Sequence, residues 1–178
     1  MATLDKARLF RLLAVLSTFT TYATMVLGGY VKATGAGLAC PDWPLCYGSV
    51  LPNLGDPLIL AEWAHRLVAA LTSLFLILTM VLALLWFRAE RRYVLLSSMT
   101  VTCLLGQVAL GALTITSRLD PLVVTLHLGI AIATFAGALA LAVVVLVVPR
   151  SASLGEGVHE HDPREPERGP ADPVHPVR

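Results

Sequence analysis

Charged residues are scarce in this sequence. Asp, Glu, Lys and Arg make up only 14% of its 178 residues, whereas hydrophobic residues make up 56%. This balance excludes a soluble globular domain and a disordered protein. Thirteen Lys and Arg residues nearly cancel twelve Asp and Glu residues, which leaves a formal net charge of +1. Because the chain has no basic surface to hold a phosphate backbone, nucleic acid is excluded as its main partner.

Cysteine is also rare. The three cysteines allow one disulfide and one remaining thiol, which excludes a fold built on a disulfide framework. The fold must therefore rest on its hydrophobic segments.

Four apolar runs are long enough to cross a bilayer, which takes about 20 mostly apolar residues per helix. They predict an all-α membrane protein, in which residues 1–148 form a bundle of four transmembrane helices. No small-residue cleavage site follows the first run, so we expect a retained helix rather than a signal peptide. The predicted helices are 12–31, 63–87, 94–115 and 122–148.

Lys and Arg flank these helices unequally. Seven lie on the side of the two termini and three on the other, so the positive-inside rule predicts a multi-pass protein of the cell membrane with both termini in the cytoplasm. The loop between the first two helices would then face outward. The seven are Lys6, Arg8, Arg11, Arg88, Arg91, Arg92 and Arg150, and the three are Lys32, Arg66 and Arg118.

Residues 149–178 differ in composition from the rest of the chain. They contain six of the eleven prolines and ten charged residues, with almost no apolar side chains to form a core. This composition predicts a disordered cytoplasmic tail. Three histidines lie in it, but scattered among Pro, Glu and Arg they are more typical of solvated side chains than of a metal site.

Two histidines stand apart because they lie in the membrane region. His65 belongs to a polar cluster with Glu62 and Arg66 at the start of the second helix, and His127 lies in an apolar run of the fourth. Such polar groups are costly in a membrane unless they pair, face a cavity or bind a ligand. A lone membrane histidine more often packs by hydrogen bonding, but these two lie at similar depth on helices that can be neighbours. We therefore interpret them as axial ligands of a haem iron. Zinc fits less well, because it needs three or four ligands.

Cys40 and Cys46 lie six positions apart in the predicted outer loop, with two prolines between them. In an oxidising compartment this spacing predicts a disulfide that closes a small loop. A structural disulfide is favoured, and a redox-active pair remains the alternative. Cys103 lies too deep in the third helix to join the other polar residues.

Four motifs occur in an order that resembles the haem A synthase family of cytochrome oxidase assembly enzymes. They are GGYVKATGAGLACPDWPLC (28–46), EWAHR (62–66), GQVALGALT (106–114) and His127, and the resemblance covers about residues 10–148. It implies an enzyme that oxidises a methyl group of haem O to the formyl group of haem A for assembly of a terminal oxidase.

The family pattern also implies roles for individual residues. His65 and His127 would be axial ligands of haem, either haem b or the substrate haem O, and Cys40–Cys46 would be the outer-loop disulfide. Glu62 would act on the reacting methyl group, and Arg66 would pair with a haem propionate. Haem O synthase and an electron donor are the implied partners, together with the lipid bilayer.

The chain departs from the family in length. Members resemble two fused four-helix halves, each with a histidine pair, whereas this chain has one half; a homodimer that replaces the fused halves is the simplest expectation. Two other functions remain open. A b-type haem-binding electron-transfer or assembly subunit fits the histidine pair equally well, and a thiol–quinone oxidoreductase fits less well because only one cysteine pair is present.

Overall fold

The computed structural model describes residues 2–147, and the side chains of residues 5–147. Within this part of the chain all regular structure is helical, which confirms the predicted all-α class, and the four long helices are each apolar enough to cross a membrane. The predicted disordered tail, 149–178, lies outside the described residues. The elements are α1 (Ala2–Thr34), a 3₁₀ turn (Ala36–Leu38), α2 (Pro57–Trp86), α3 (Arg91–Thr116) and α4 (Pro121–Val147).

Two helices start at an Asp-Pro pair. The Asp56 carboxylate accepts a hydrogen bond from Leu58 N at 2.8 Å at the start of α2, and Asp120 accepts one from Leu122 N at 2.9 Å at the start of α4. Aspartate satisfies a free N–H of the first turn, and proline at the first helical position has no N–H to satisfy. These starts lie at the same end of the bundle.

The helices form a ring in which α1 packs against α2 and α4, and α3 packs against the same two helices. Small residues allow neighbouring helices to approach closely, and hydroxyl groups form hydrogen bonds between them. A Cβ on Gly137 of α4 would lie 2.4 Å from Thr100 Oγ1 of α3, so α3 and α4 need a glycine there. The hydroxyls of Ser17 and Thr79 join α1 to α2 at 3.2 Å.

The two ends of the bundle differ. At the end where α2 passes into α3, Phe10, Phe87 and Tyr93 pack as an aromatic cluster. Large apolar side chains such as Leu85 and Leu122 cover the outward helix faces, as expected where lipid replaces water. The chain is a multi-pass membrane protein, and Glu62, His65 and His127 lie toward the other end of the bundle.

Candidate functional site

His65 and His127 lie on α2 and α4, which are not adjacent in the ring of helices. Both side chains are half-buried. Because α2 begins at Pro57 and α4 at Pro121, the histidines lie about 12 Å and about 9 Å along their helices. The structure thus brings the two predicted ligand residues to similar depth inside one bundle.

Each imidazole has one enclosed nitrogen. The Nδ1 atoms of His65 and His127 are buried and make no hydrogen bond, although the rings lie near the main-chain carbonyls of Thr24 and Gln107, respectively. Leaving a buried polar atom unpaired costs about 1–3 kcal/mol. The bundle thus contains two imidazoles with unsatisfied polar atoms, and a pair of imidazoles is a donor set that haem iron accepts.

The pair has no further ligand beside it. Within residues 2–147, no three His, Cys, Asp or Glu side chains lie close enough together to hold a metal ion. A zinc site of three or four protein ligands is therefore not formed by the described residues, whereas a haem needs only the two imidazoles. Gln107 adds one more polar atom to this region, because its Oε1 is also buried without a partner.

Glu62 and Arg66 lie one turn apart at the start of α2. Glu62 is 4% exposed, and its Oε1 accepts a hydrogen bond from Arg66 Nε at 2.9 Å. The rest of the guanidinium contacts the loop between α1 and α2: Nη1 donates to the carbonyls of Asp42 and Leu45, and Nη2 donates to that of Cys40 at 3.1 Å. Four of its five N–H groups are thus engaged.

Arg66 therefore holds the loop and the buried carboxylate together. The sequence predicts Glu62 and Arg66 as site residues but does not indicate the loop contacts of Arg66. Its three loop acceptors are main-chain carbonyls, which every residue has, so no residue type in the sequence signals them. Trp63, which follows Glu62, also contacts this loop, since its Nε1 donates to the Val50 carbonyl at 2.8 Å.

The loop itself is closed by the predicted disulfide between Cys40 and Cys46, whose side chains are buried. Inside it, the Asp42 carboxylate accepts hydrogen bonds from Tyr47 N at 2.6 Å and Gly48 N at 2.8 Å. The hydrogen bond from Gly48 lowers the pKa of Asp42 below its ordinary value, and the hydrogen bond from Tyr47 lowers it to a smaller extent, because both favour the ionised form. Gly48 has a φ of 70°, a conformation that glycine adopts without strain.

We expect the Cys40→Ala, Cys46→Ala double variant to lose stability but keep its ability to bind a ligand at the histidines. Opening a loop of this size should lower the free energy of unfolding by about 2 kcal/mol, because the reduced chain gains entropy when it unfolds. Thermal unfolding in detergent measures the loss, with Cys103→Ala as the control at the half-buried free cysteine. Complete loss of activity with unchanged stability would instead identify the pair as redox-active.

Comparison with known proteins gives one family. Residues 11–164 match the family model described as cytochrome oxidase assembly protein. The heme A synthase of Bacillus pumilus (strain SAFR-032) is 35% identical over 145 residues, which are 79% of this chain and 46% of that protein. The heme A synthase of Symbiobacterium thermophilum is 39% identical over 115 residues, 62% of this chain and 35% of that protein. The chain spans about half the length of the curated relatives it matches. No solved structure matches it.

Proposed function

Because the chain belongs to the cytochrome oxidase assembly protein family, we propose that it acts as a haem A synthase, an oxidoreductase that converts a methyl group of haem O to the formyl group of haem A. The observation that carries this proposal is the pair of membrane histidines in one bundle, with the buried carboxylate of Glu62 one helical turn from His65. The relatives' names support the activity, and the site supplies residues suited to it.

The proposed ligand residues are His65 on α2 and His127 on α4, which would hold the haem iron through their ring nitrogens. When bound, the haem iron supplies the redox chemistry for oxidation of the methyl group. Either haem b or the substrate haem O fits the two imidazoles.

Glu62 is the proposed catalytic residue. Its Oε1 is held by Arg66, whereas Oε2 accepts no hydrogen bond from the described part of the chain. A fixed carboxylate beside the macrocycle would stabilise developing positive charge at the methyl carbon or accept a proton from it. The ion pair with Arg66 positions the carboxylate for either task.

Arg66 remains the proposed partner of a haem propionate, with a restriction that the structure adds. Glu62 and the three loop carbonyls engage four of its N–H groups, so one N–H on Nη2 is left for the propionate among the described contacts. We therefore propose a single hydrogen bond from Arg66 to the propionate rather than a bidentate interaction.

The proposed topology places both termini in the cytoplasm and the disulfide loop outside, in accord with the Lys and Arg count. We propose haem O synthase as the supplier of the substrate and a separate electron donor as a further partner. A homodimer would bring a second histidine pair, in keeping with a chain that spans about half the length of its relatives. The mass of the purified protein in mild detergent tests the dimer: a monomer that forms haem A contradicts it.

The proposed activity is tested by the haem that the protein carries. We expect protein expressed with a haem O synthase, in a host without its own haem A synthase, to yield haem A or hydroxylated haem O on extraction and chromatography. A host with the haem O synthase alone is the control and should yield haem O. Haem b as the only bound haem, with no product, would favour a b-type electron-transfer or assembly subunit. Protein without haem in a haem-replete host would contradict the ligand assignment.

A further inference from the structure

Gly28 of α1 lies directly against the ring of His65. A Cβ built on Gly28 would lie 3.1 Å from His65 Cε1, 3.6 Å from Nδ1 and 3.7 Å from Nε2. The first distance is too short for an ordinary contact, so the imidazole occupies the space that any other residue would fill. The main-chain carbonyl of Thr24, one helical turn before Gly28, lies near the same ring.

Helices α3 and α4 repeat the arrangement of α1 and α2. A Cβ on Gly111 of α3 would lie 3.5 Å from His127 Cε1, and the main-chain carbonyl near the His127 ring is that of Gln107, again four residues before the glycine. In each pair, a histidine of one helix thus packs on a glycine of its neighbour, beside a carbonyl one turn earlier. The contact at Gly111 is the looser of the two, at an ordinary van der Waals distance, but it brings the same two residue types together.

Helix propensity does not explain these glycines. Glycine inside a helix is less favourable than alanine by about 0.8–1.0 kcal/mol. Gly29 and Gly129 lie on the same helices as Gly28 and His127, and a Cβ at either would have nothing within 4 Å. Among the described glycines, Gly28 and Gly111 are the two whose Cβ would meet a histidine ring, whereas Gly106 faces Ile130 and Gly137 faces Thr100.

We propose that Gly28 and Gly111 are positioning residues for the two haem ligands, an inference that rests on the proposed function. By omitting a side chain, each glycine lets an imidazole lie against the neighbouring backbone, so that the ring of the haem-bound protein would donate its Nδ1–H to the helix carbonyl, a hydrogen bond that the described structure does not contain. Only Nδ1 of each ring is both buried and unpartnered. A proton held there fixes the neutral tautomer in which Nε2 carries the lone pair for the iron.

A main-chain carbonyl is a suitable acceptor for the second N–H of a ligand histidine. A ligand histidine commonly donates its second N–H to a carboxylate, a carbonyl or water, and that contact sets the orientation and basicity of the ring. Neither Nδ1 has a carboxylate hydrogen-bonded to it in the described part of the chain. A main-chain carbonyl is a neutral acceptor whose position the helix fixes, so the glycine that gives access to it controls the ligand.

The test compares Gly28→Ala and Gly28→Leu with Gly29→Ala and Gly29→Leu in the full-length haem-loaded protein. Measurements are the haem content per protein, the low-spin ferric electron paramagnetic resonance signal and the haem reduction potential. We expect Gly28→Leu to lower haem content about 10- to 100-fold, the size of effect typical for a lost outer contact of a metal ligand. We expect Gly28→Ala to shift the low-spin signal and the potential, because its Cβ displaces the ring by a few tenths of an ångström. Both Gly29 variants should match the unchanged protein.

The second helix pair gives a graded check. A Cβ on Gly111 would make an ordinary contact at 3.5 Å, so Gly111→Ala should change the haem content and the low-spin signal little. Gly111→Leu should reduce haem content as Gly28→Leu does. Gly129→Leu is the control for Gly111→Leu. If Gly28→Leu fails to fold, the shift in Gly28→Ala decides the question. An unchanged signal and potential in Gly28→Ala, with haem retained by a folded Gly28→Leu, would overturn the inference and leave the proposed function standing. Absence of haem from the unchanged protein would instead overturn the proposed function.

Discussion

Replacing His65 with alanine will leave a protein that no longer retains haem, and replacing His127 will have the same effect. Each histidine supplies one of the two proposed bonds to the iron, and residues 2–147 contain no third histidine that could replace it. Since loss of an outer contact to a ligand costs 10- to 100-fold in metal affinity, we expect loss of the ligand itself to cost about 100-fold or more. The haem-to-protein ratio and the oxidised and reduced absorption spectra measure the result.

A matched control is His161→Ala, which removes a histidine from the part of the chain beyond residue 147 and should leave the spectrum unchanged. Adding imidazole to a His65→Gly variant should restore part of the low-spin spectrum, because free imidazole can enter the space of the lost side chain. That recovery separates loss of a ligand from loss of the fold. A folded His65→Ala protein with the original low-spin spectrum would contradict the assignment.

The fold follows from the sequence because lipid imposes a simple rule. Apolar runs of this length must be helical, since no water is present to pair with the backbone. The ends of the helices follow less well: α1 and α2 begin before residues 12 and 63, and these early parts include charged side chains, Asp5 in the first turn of α1 and Glu62 in the second turn of α2. Hydropathy marks where the chain meets hydrocarbon, whereas Asp56 and Pro57 mark where the helix begins.

The site is partly visible in the sequence for a related reason. Histidine is so costly and rare in a membrane that His65 and His127 stand out by themselves. The contacts of Gly28 and Gly111 do not, because small residues recur throughout such helices and most of them serve helix packing, as Gly137 does. The identity of the neighbour across the helix interface decides the role of a glycine, and one sequence does not contain that information.

Haem binding alone does not separate the synthase from a b-type subunit, because both need the histidine pair. The buried carboxylate does separate them. In a carrier, the buried Glu62 would serve only to hold Arg66, whereas methyl oxidation needs a group that responds to charge and protons at the reacting carbon. The decisive substitution is therefore one that removes the charge of Glu62 and keeps its shape.

Glu62→Gln should abolish most haem A formation while leaving bound haem in place. The glutamine Oε1 can still accept the hydrogen bond from Arg66 Nε, so the loop contacts of Arg66 should persist, but the amide cannot take up a proton or balance a positive charge. General acid–base groups contribute about 10²- to 10⁴-fold, so we expect a decrease in that range in haem A formed per bound haem. Chromatography of the extracted haems measures it, and the absorption spectrum reports retention.

Glu90→Gln is the matched control, because Glu90 lies immediately before α3 at the opposite end of the bundle from the histidines, and its carboxylate lies 3.8 Å from Arg92. It should form haem A at the original rate. If Glu62→Gln also forms haem A at that rate, the carboxylate takes no part in the reaction and its role is to anchor Arg66. If Glu62→Gln instead loses haem altogether, Glu62 serves the binding site rather than the chemistry. Only haem O retained without conversion supports a catalytic Glu62, because that result shows an intact site from which the reaction alone is missing.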